Sequence, residues 1–202
     1  AGAFTLSENN LYTLEAFQEY WGHLKPHGVL TISRFIFERE TLRLVSLGLE
    51  LLKREGVADP AAHIAVIKER GLANFMLKKS PFTPVELDNL REVARKQDYD
   101  IVYLPGAEKG DKVFRALIAS GGSDEFYRDF PFDITPTDDN RPFFYYMLKP
   151  AAFLDLFSFP QQSPFEDRAI LILRNLLLVT AALVCVVFAL PLLLSRKKDI
   201  AG

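Results

Sequence analysis

The chain has a single cysteine, Cys185, so no disulfide can close within it and no cysteine cluster can hold a metal. Its three histidines, His23, His27 and His63, fall at no ligand-like spacing and read as solvated or edge residues. Neither sign of charge is in excess. With 24 basic and 26 acidic residues the net charge is -2, and nothing in that balance points to a nucleic-acid surface. No G-x-G-x-x-G turn and no Walker loop occurs, so the sequence carries no phosphate cradle of its own. It has no internal repeat and no secretory start pattern. It begins Ala1-Gly2-Ala3 without an initiator Met, and it reads as a piece of a longer protein.

What stands out is apolar. Leu176 to Leu194 is a run of nineteen residues with no charge, followed by Arg196, Lys197 and Lys198. A helix of that length covers roughly 28 Å, near the roughly 30 Å of a bilayer core. The only polar side chain inside is Thr180, which can bond its own helix, and Pro191 sits near one end. A transmembrane helix is expected over 169–195, with a basic tail over 196–202.

Before it, the pattern predicts alternating helices and strands. Thr13 is a candidate N-cap for a helix to about Leu24, with Leu14, Phe17, Trp21 and Leu24 on one face. Lys25-Pro26-His27-Gly28 stops it, with Gly28 free to take a positive φ. Val29–Ser33 reads as a mostly buried strand, and Glu40–Glu55 as a helix ended by Gly56. His63–Ile67 and Ala73–Lys78 flank Lys68-Glu69-Arg70-Gly71 as an antiparallel hairpin. Thr83-Pro84-Val85-Glu86 has the residues of a capping box and opens a helix to about Lys96. A strand over Asp100–Leu104 and a short helix over Asp111–Ala119 follow. This order fits an α/β sheet with an antiparallel insertion over residues 1–125.

From Phe126 to Phe159, eleven aromatic rings crowd into 34 residues broken by prolines. Residues 126–168 therefore form an aromatic and proline-rich linker. It either wraps the domain edge or lies at the headgroup layer before the membrane helix.

Two polar clusters can carry chemistry. Ser7-Glu8-Asn9-Asn10-Leu11-Tyr12 is a loop before a helix, where ligands of open α/β sheets bind. Its carboxylate, amides and phenol suit an amine or a ribose, or serve only as caps and turns. Thr135-Pro136-Thr137-Asp138-Asp139-Asn140-Arg141-Pro142 puts paired acids beside an arginine. This is either part of a site or a turn in which Arg141 pairs with one acid.

Three segments resemble a known family. Ala1 to Thr13, Leu24-Lys25-Pro26-His27-Gly28-Val29-Leu30, and Thr135 to Phe144 are similar to the later half of multi-spanning spermidine-synthase-like proteins. The resemblance covers most of residues 1–150. It implies the C-terminal half of a Rossmann-like S-adenosylmethionine-methyltransferase fold. The implied activity is transfer of an aminopropyl or methyl group to an amine. The donor is S-adenosylmethionine or its decarboxylated form. In that family the glycine turn, the ribose-binding acid and the catalytic Asp pair precede the position of Ala1. Catalytic and cofactor residues are therefore expected upstream, and no cofactor is expected for this chain alone. Family position puts Glu8, Asn9 and Tyr12 on the acceptor side. The expected partners are the lipid bilayer, the N-terminal half of the same protein and a small amine. The other reading is a non-catalytic membrane protein that keeps the fold for ligand sensing or assembly.

The expected location is a bacterial inner membrane. Arg196, Lys197 and Lys198 outnumber Arg168 and Arg174, which favours a cytoplasmic tail. A cytoplasmic adenosyl donor favours a cytoplasmic domain, and that argument carries more weight than one charge.

Overall fold

The computed structural model describes residues 10–35, 39–150 and 165–189. The chain divides into two compact units, Ala1–Lys149 and Pro150–Gly202. In the first, a 3-10 turn at Asn10–Tyr12 leads into α1 (Leu14–His23) and β1 (Val29–Phe35). Then come α2 (Glu40–Arg54), a 3-10 turn at Pro60–His63, β2 (Ile64–Glu69) and β3 (Leu72–Lys78). They are followed by α3 (Pro84–Gln97), β4 (Asp100–Tyr103), α4 (Lys112–Ala119) and α5 (Asp124–Asp129).

The four strands form one sheet in the order β1-β3-β2-β4. Among the described residues every hydrogen-bonded strand pair is antiparallel, in a unit that mixes helices and strands. β1 and β2 nevertheless run in the same direction, with α2 between them in the chain and β3 inserted between them in the sheet. The hairpin turns at Arg70-Gly71, where Glu69 pairs with Leu72 and Arg70 takes φ 52°.

The expected local signals form where the sequence puts them. Thr13 accepts from Ala16 N at 3.2 Å and opens α1. Thr83 and Glu86 make the reciprocal capping box of α3, with Pro84 in its first turn. Asp111, expected as the first residue of the short helix, instead caps α4 by accepting from Val113 N and Phe114 N.

The larger core lies between the sheet and α1, α2 and α4, around Phe17, Leu44, Leu47, Leu51, Phe75 and Leu117. A smaller one lies on the other face, where Leu87 and Leu90 of α3 cover Ala65 and Met76. α2 runs through the larger core with twelve of its fifteen residues buried. Gly48 is needed there, because a Cβ would stand 3.0 Å from the Phe75 ring. Arg43 of α2 is buried, and its guanidinium reaches the aromatic segment. It donates to the carbonyls of Phe143 at 2.9 Å, Phe144 at 2.5 Å and Tyr146 at 2.8 Å, and to the Asp133 carbonyl. Up to Lys149, then, the aromatic segment is a wrap over the domain. Phe153, Phe157 and Phe159 lie outside the described residues.

Three expectations are corrected. β1 is an edge strand with alternate residues exposed, not a mostly buried one. Gly28 does not adopt positive φ. It is required by close approach, since a Cβ would lie 3.1 Å from the Lys25 backbone. His63 is buried, with Nδ1 at 2.9 Å from the Lys78 carbonyl. The expected membrane helix over 169–195 is described only as far as Ala189. Among the described residues, no helix is long and apolar enough to cross a membrane. The second unit contains α6 (Phe165–Val184), which carries Glu166, Asp167, Arg168 and Arg174. Its uncharged part gives way to a π-helical turn at Cys185–Ala189. The rest of the apolar run, residues 190–194, lies outside the described residues.

Candidate functional site

The two polar clusters, distant in sequence, meet in space. Leu14 N donates to Thr137 O at 2.9 Å. Thr137 Oγ1 donates to Tyr12 O at 2.5 Å, and Asp139 N donates to Glu15 Oε2 at 3.0 Å. The start of α1 is thus stitched to the Asp138–Arg141 turn by one side chain and two backbone amides. Between them opens a cleft of about 660 Å³ lined by Asn10, Thr13, Glu15, Gln18, Glu19 and Asp139. Three of these are carboxylates, and no lining residue is basic. Glu15 and Glu19 are four residues apart on α1, so the helix itself holds them on one face. Asp139 and Glu19 are exposed, which keeps both in solvent.

The turn explains its own sequence. Asp138 Oδ1 accepts from Asn140 N at 3.0 Å and Arg141 N at 2.8 Å, so Asp138 builds the turn. Arg141 does not pair with either acid. Its guanidinium donates to Thr135 Oγ1 at 3.1 Å instead. Asp139 is left facing the cleft with its backbone, not its carboxylate, committed to Glu15.

Behind the cleft, at the carboxyl end of β1, lies a second polar group. Tyr12 is buried against Phe144, with ring centroids 4.5 Å apart, and its hydroxyl accepts from Arg34. The Arg34 guanidinium lies 4.5 Å from the Tyr12 ring centre and 5.6 Å from that of Tyr145. Its Nε is 3.8 Å from Glu40, the first residue of α2. Arg34 therefore locks the Tyr12 ring in place, and Tyr12 anchors the loop beside the cleft.

Of the three residues expected on the acceptor side, Tyr12 is placed as an anchor, buried with its hydroxyl engaged. Glu8 and Asn9 lie outside the described residues. The sequence reading missed Glu15, Glu19, Arg34 and Glu40. A signal existed for the first pair, because two acids at i and i+4 on one helix repel unless something cationic answers them. A signal existed for Arg34 as well, the one charged residue in the strand Val29–Phe35. Among the described residues, no group of three or more His, Cys, Asp or Glu side chains is arranged to hold a metal ion. Comparison with protein-family models, curated proteins and solved structures finds no match for this chain.

Proposed function

We propose that this chain is part of a membrane-bound, spermidine-synthase-like protein and supplies the amine-facing wall of its site. The observation that carries the reading is the cleft at the start of α1, with Glu15, Glu19 and Asp139 around it and no cation among its lining. Polyamines are extended polycations at neutral pH, and spaced carboxylates match their spaced charges. Each exposed carboxylate contributes only about 0.2–1 kcal/mol, so the expected binding is weak and falls with salt.

The fit is to the amine and not to the donor. The described residues contain no glycine-rich strand-to-helix turn that would bring backbone N–H groups to an adenosyl nucleotide. No step of the transfer is therefore assigned to this chain. The same-direction strands β1 and β2, linked through α2, agree with an α/β sheet of Rossmann-like descent that holds an antiparallel insertion. For the tether, the support is the uncharged run Leu176–Leu194 and the exposed apolar side chains of α6. The domain is placed on the cytoplasmic side, where an adenosyl donor is made.

Spermidine titrated into the protein at low salt tests the reading. Chemical-shift changes at Glu15, Glu19 and Asp139, weakened at least fivefold in Glu15→Gln/Asp139→Asn, are expected. No saturable shift at those residues sinks the amine assignment. The same titration with S-adenosylmethionine on residues 1–202 should give no saturable signal. Micromolar donor binding would show that the division between the two sides is wrong.

The second reading, a non-catalytic sensing or assembly protein, is favoured by the burial of Tyr12 and the engagement of its hydroxyl. The sequence encoded upstream of Ala1 separates the two. A glycine turn, an acid about twenty residues later and an Asp pair support the enzyme. Without them the sensing reading stands.

A further inference from the structure

We infer that Arg34 and Tyr12, at the carboxyl end of β1, form a binding site for the carboxylate of a small organic acid. The arginine is built into the fold, yet most of its donors are left over. A guanidinium carries several N–H groups in a fixed fork. Arg34 uses one of them, from Nη2 to the Tyr12 hydroxyl. Its Nε is buried with no hydrogen-bond partner, and Glu40 Oε2 stands 3.8 Å away, beyond hydrogen-bond reach. Among the described residues no acceptor meets Nη1. The side chain is 25 % exposed, and since Nε is shut off from solvent that exposure belongs to its other atoms.

Tyr12 adds a second donor beside the first. A phenol both accepts and donates. Its oxygen accepts from Arg34, and its own hydrogen meets no acceptor among the described residues. The residue is 8 % exposed and its ring lies against Phe144, so the oxygen is held in place. Polar groups this buried that the protein does not answer are answered by water or by a ligand.

The shape of the pair fits a carboxylate. The guanidinium packs on the rings of Tyr12 and Tyr145, 4.5 Å and 5.6 Å from their centres. Rings take its face and leave its edge, and an edge with parallel N–H groups matches the two oxygens of a carboxylate. The backbone beneath is fixed from two sides. Arg34 pairs with Ala73 across the sheet, and Thr41 Oγ1 donates to its carbonyl at 3.3 Å.

Charge selects a monoanion. Arg34 and Glu40 cancel, and Glu40 opens α2, whose amino end adds about half a positive charge. A phosphate dianion would set its second charge against Glu40. A polyamine would meet Arg34. This site and the acidic cleft therefore take opposite charges, and either can fail while the other stands.

The test titrates sodium acetate into the intact protein in detergent micelles, with sodium chloride holding ionic strength constant. Arginine is labelled at 13Cζ and tyrosine at its hydroxyl-bearing carbon. The Arg34 and Tyr12 signals should shift together and saturate. No saturable shift in the unmodified protein overturns the inference, whether or not any variant folds. Inorganic phosphate should bind about tenfold more weakly than acetate because of Glu40, and phosphate binding as tight as acetate overturns the carboxylate assignment. Tyr12→Phe removes only the hydroxyl and should weaken acetate about tenfold at Arg34, as loss of one hydrogen bond to a charged group does. Arg34→Lys keeps the charge without the fork and should weaken it by about the same factor at Tyr12. Acetate binding at full strength in both variants overturns the inference. Glu15→Gln/Asp139→Asn should leave acetate binding unchanged, and its loss there would merge the site with the cleft and overturn the inference as well.

Discussion

The apolar residues of α2 and those of α6 meet opposite fates. α2 is buried on every side, down to Glu40, Arg43 and Ser46. Within α6 and its π-helical extension, Ile172, Leu173, Leu177, Val179, Leu183 and Phe188 are all more than half exposed. What separates the two here is how their polar groups are answered. In α2 the Arg43 guanidinium is met by carbonyls of residues 133–146, and Ser46 donates to Leu42 O. In α6, Thr180 bonds its own helix at Leu176 O, and Arg174 bonds the adjacent Asn175. α2 depends on distant parts of the chain, whereas Thr180 of α6 is answered within its own helix.

The largest expected effect comes from taking one of these helices away. Deleting residues 169–202 should release the chain from carbonate-washed membranes, while the thermal melt of the remaining unit shifts by no more than a few degrees. If the intact chain proves soluble and monomeric without detergent, the contrast between the helices loses its membrane half.

Next is the buried cation. Arg43→Met keeps apolar bulk but strands several buried carbonyls, and should cost about 4 kcal/mol in urea denaturation. Arg43→Lys should recover less than half of that, because an ammonium cannot reach the same spread of acceptors. A loss below about 1 kcal/mol would mean that the aromatic wrap holds without it. Overfilling the same helix is milder. Gly48→Val pushes against Phe75 and should cost about 2 kcal/mol.

Titration adds two smaller effects. Burial, the larger cause, and nearby acids push the Tyr127 hydroxyl up to about 12 from its usual 10. A raised folded value means that its contribution is whole below pH 10 and disappears as pH rises towards 12. The hydrogen bond from Lys78 is the main cause holding Glu86 down at about 2 from its usual 4.5. That contribution is present above pH 4.5 and is lost as pH falls through 2. Melts of Tyr127→Phe and Glu86→Gln should therefore diverge from the parent's pH dependence at opposite ends. Parallel curves at either end would contradict the assignment.

The smallest effects separate the turn from the cleft. Asp138→Asn removes a carboxylate that accepts two backbone amides and should cost about 1 kcal/mol. Asp139→Asn should leave the melt unchanged and weaken amine binding. The reverse pattern would make Asp138 the ligand group and Asp139 the structural one.

Local signals were legible in the sequence because their causes are local. The caps at Thr13 and Thr83, the Arg70-Gly71 hairpin and the apolar run from Leu176 each depend on residues within a turn or two. Alternating helices and strands likewise follow from periodicity. Which strand lies at the edge does not. Val29–Phe35 has the composition of a buried strand, and only the order β1-β3-β2-β4 leaves it outside. Arg43 looks like a surface residue of an amphipathic helix until residues 133–146 close over it. The cleft is of the same kind. Glu15 and Asp139 are joined across 124 residues by one hydrogen bond. Sequence fixes hydrogen bonds that close short loops, but long-range pairing is decided by which surfaces remain uncovered once the core has formed.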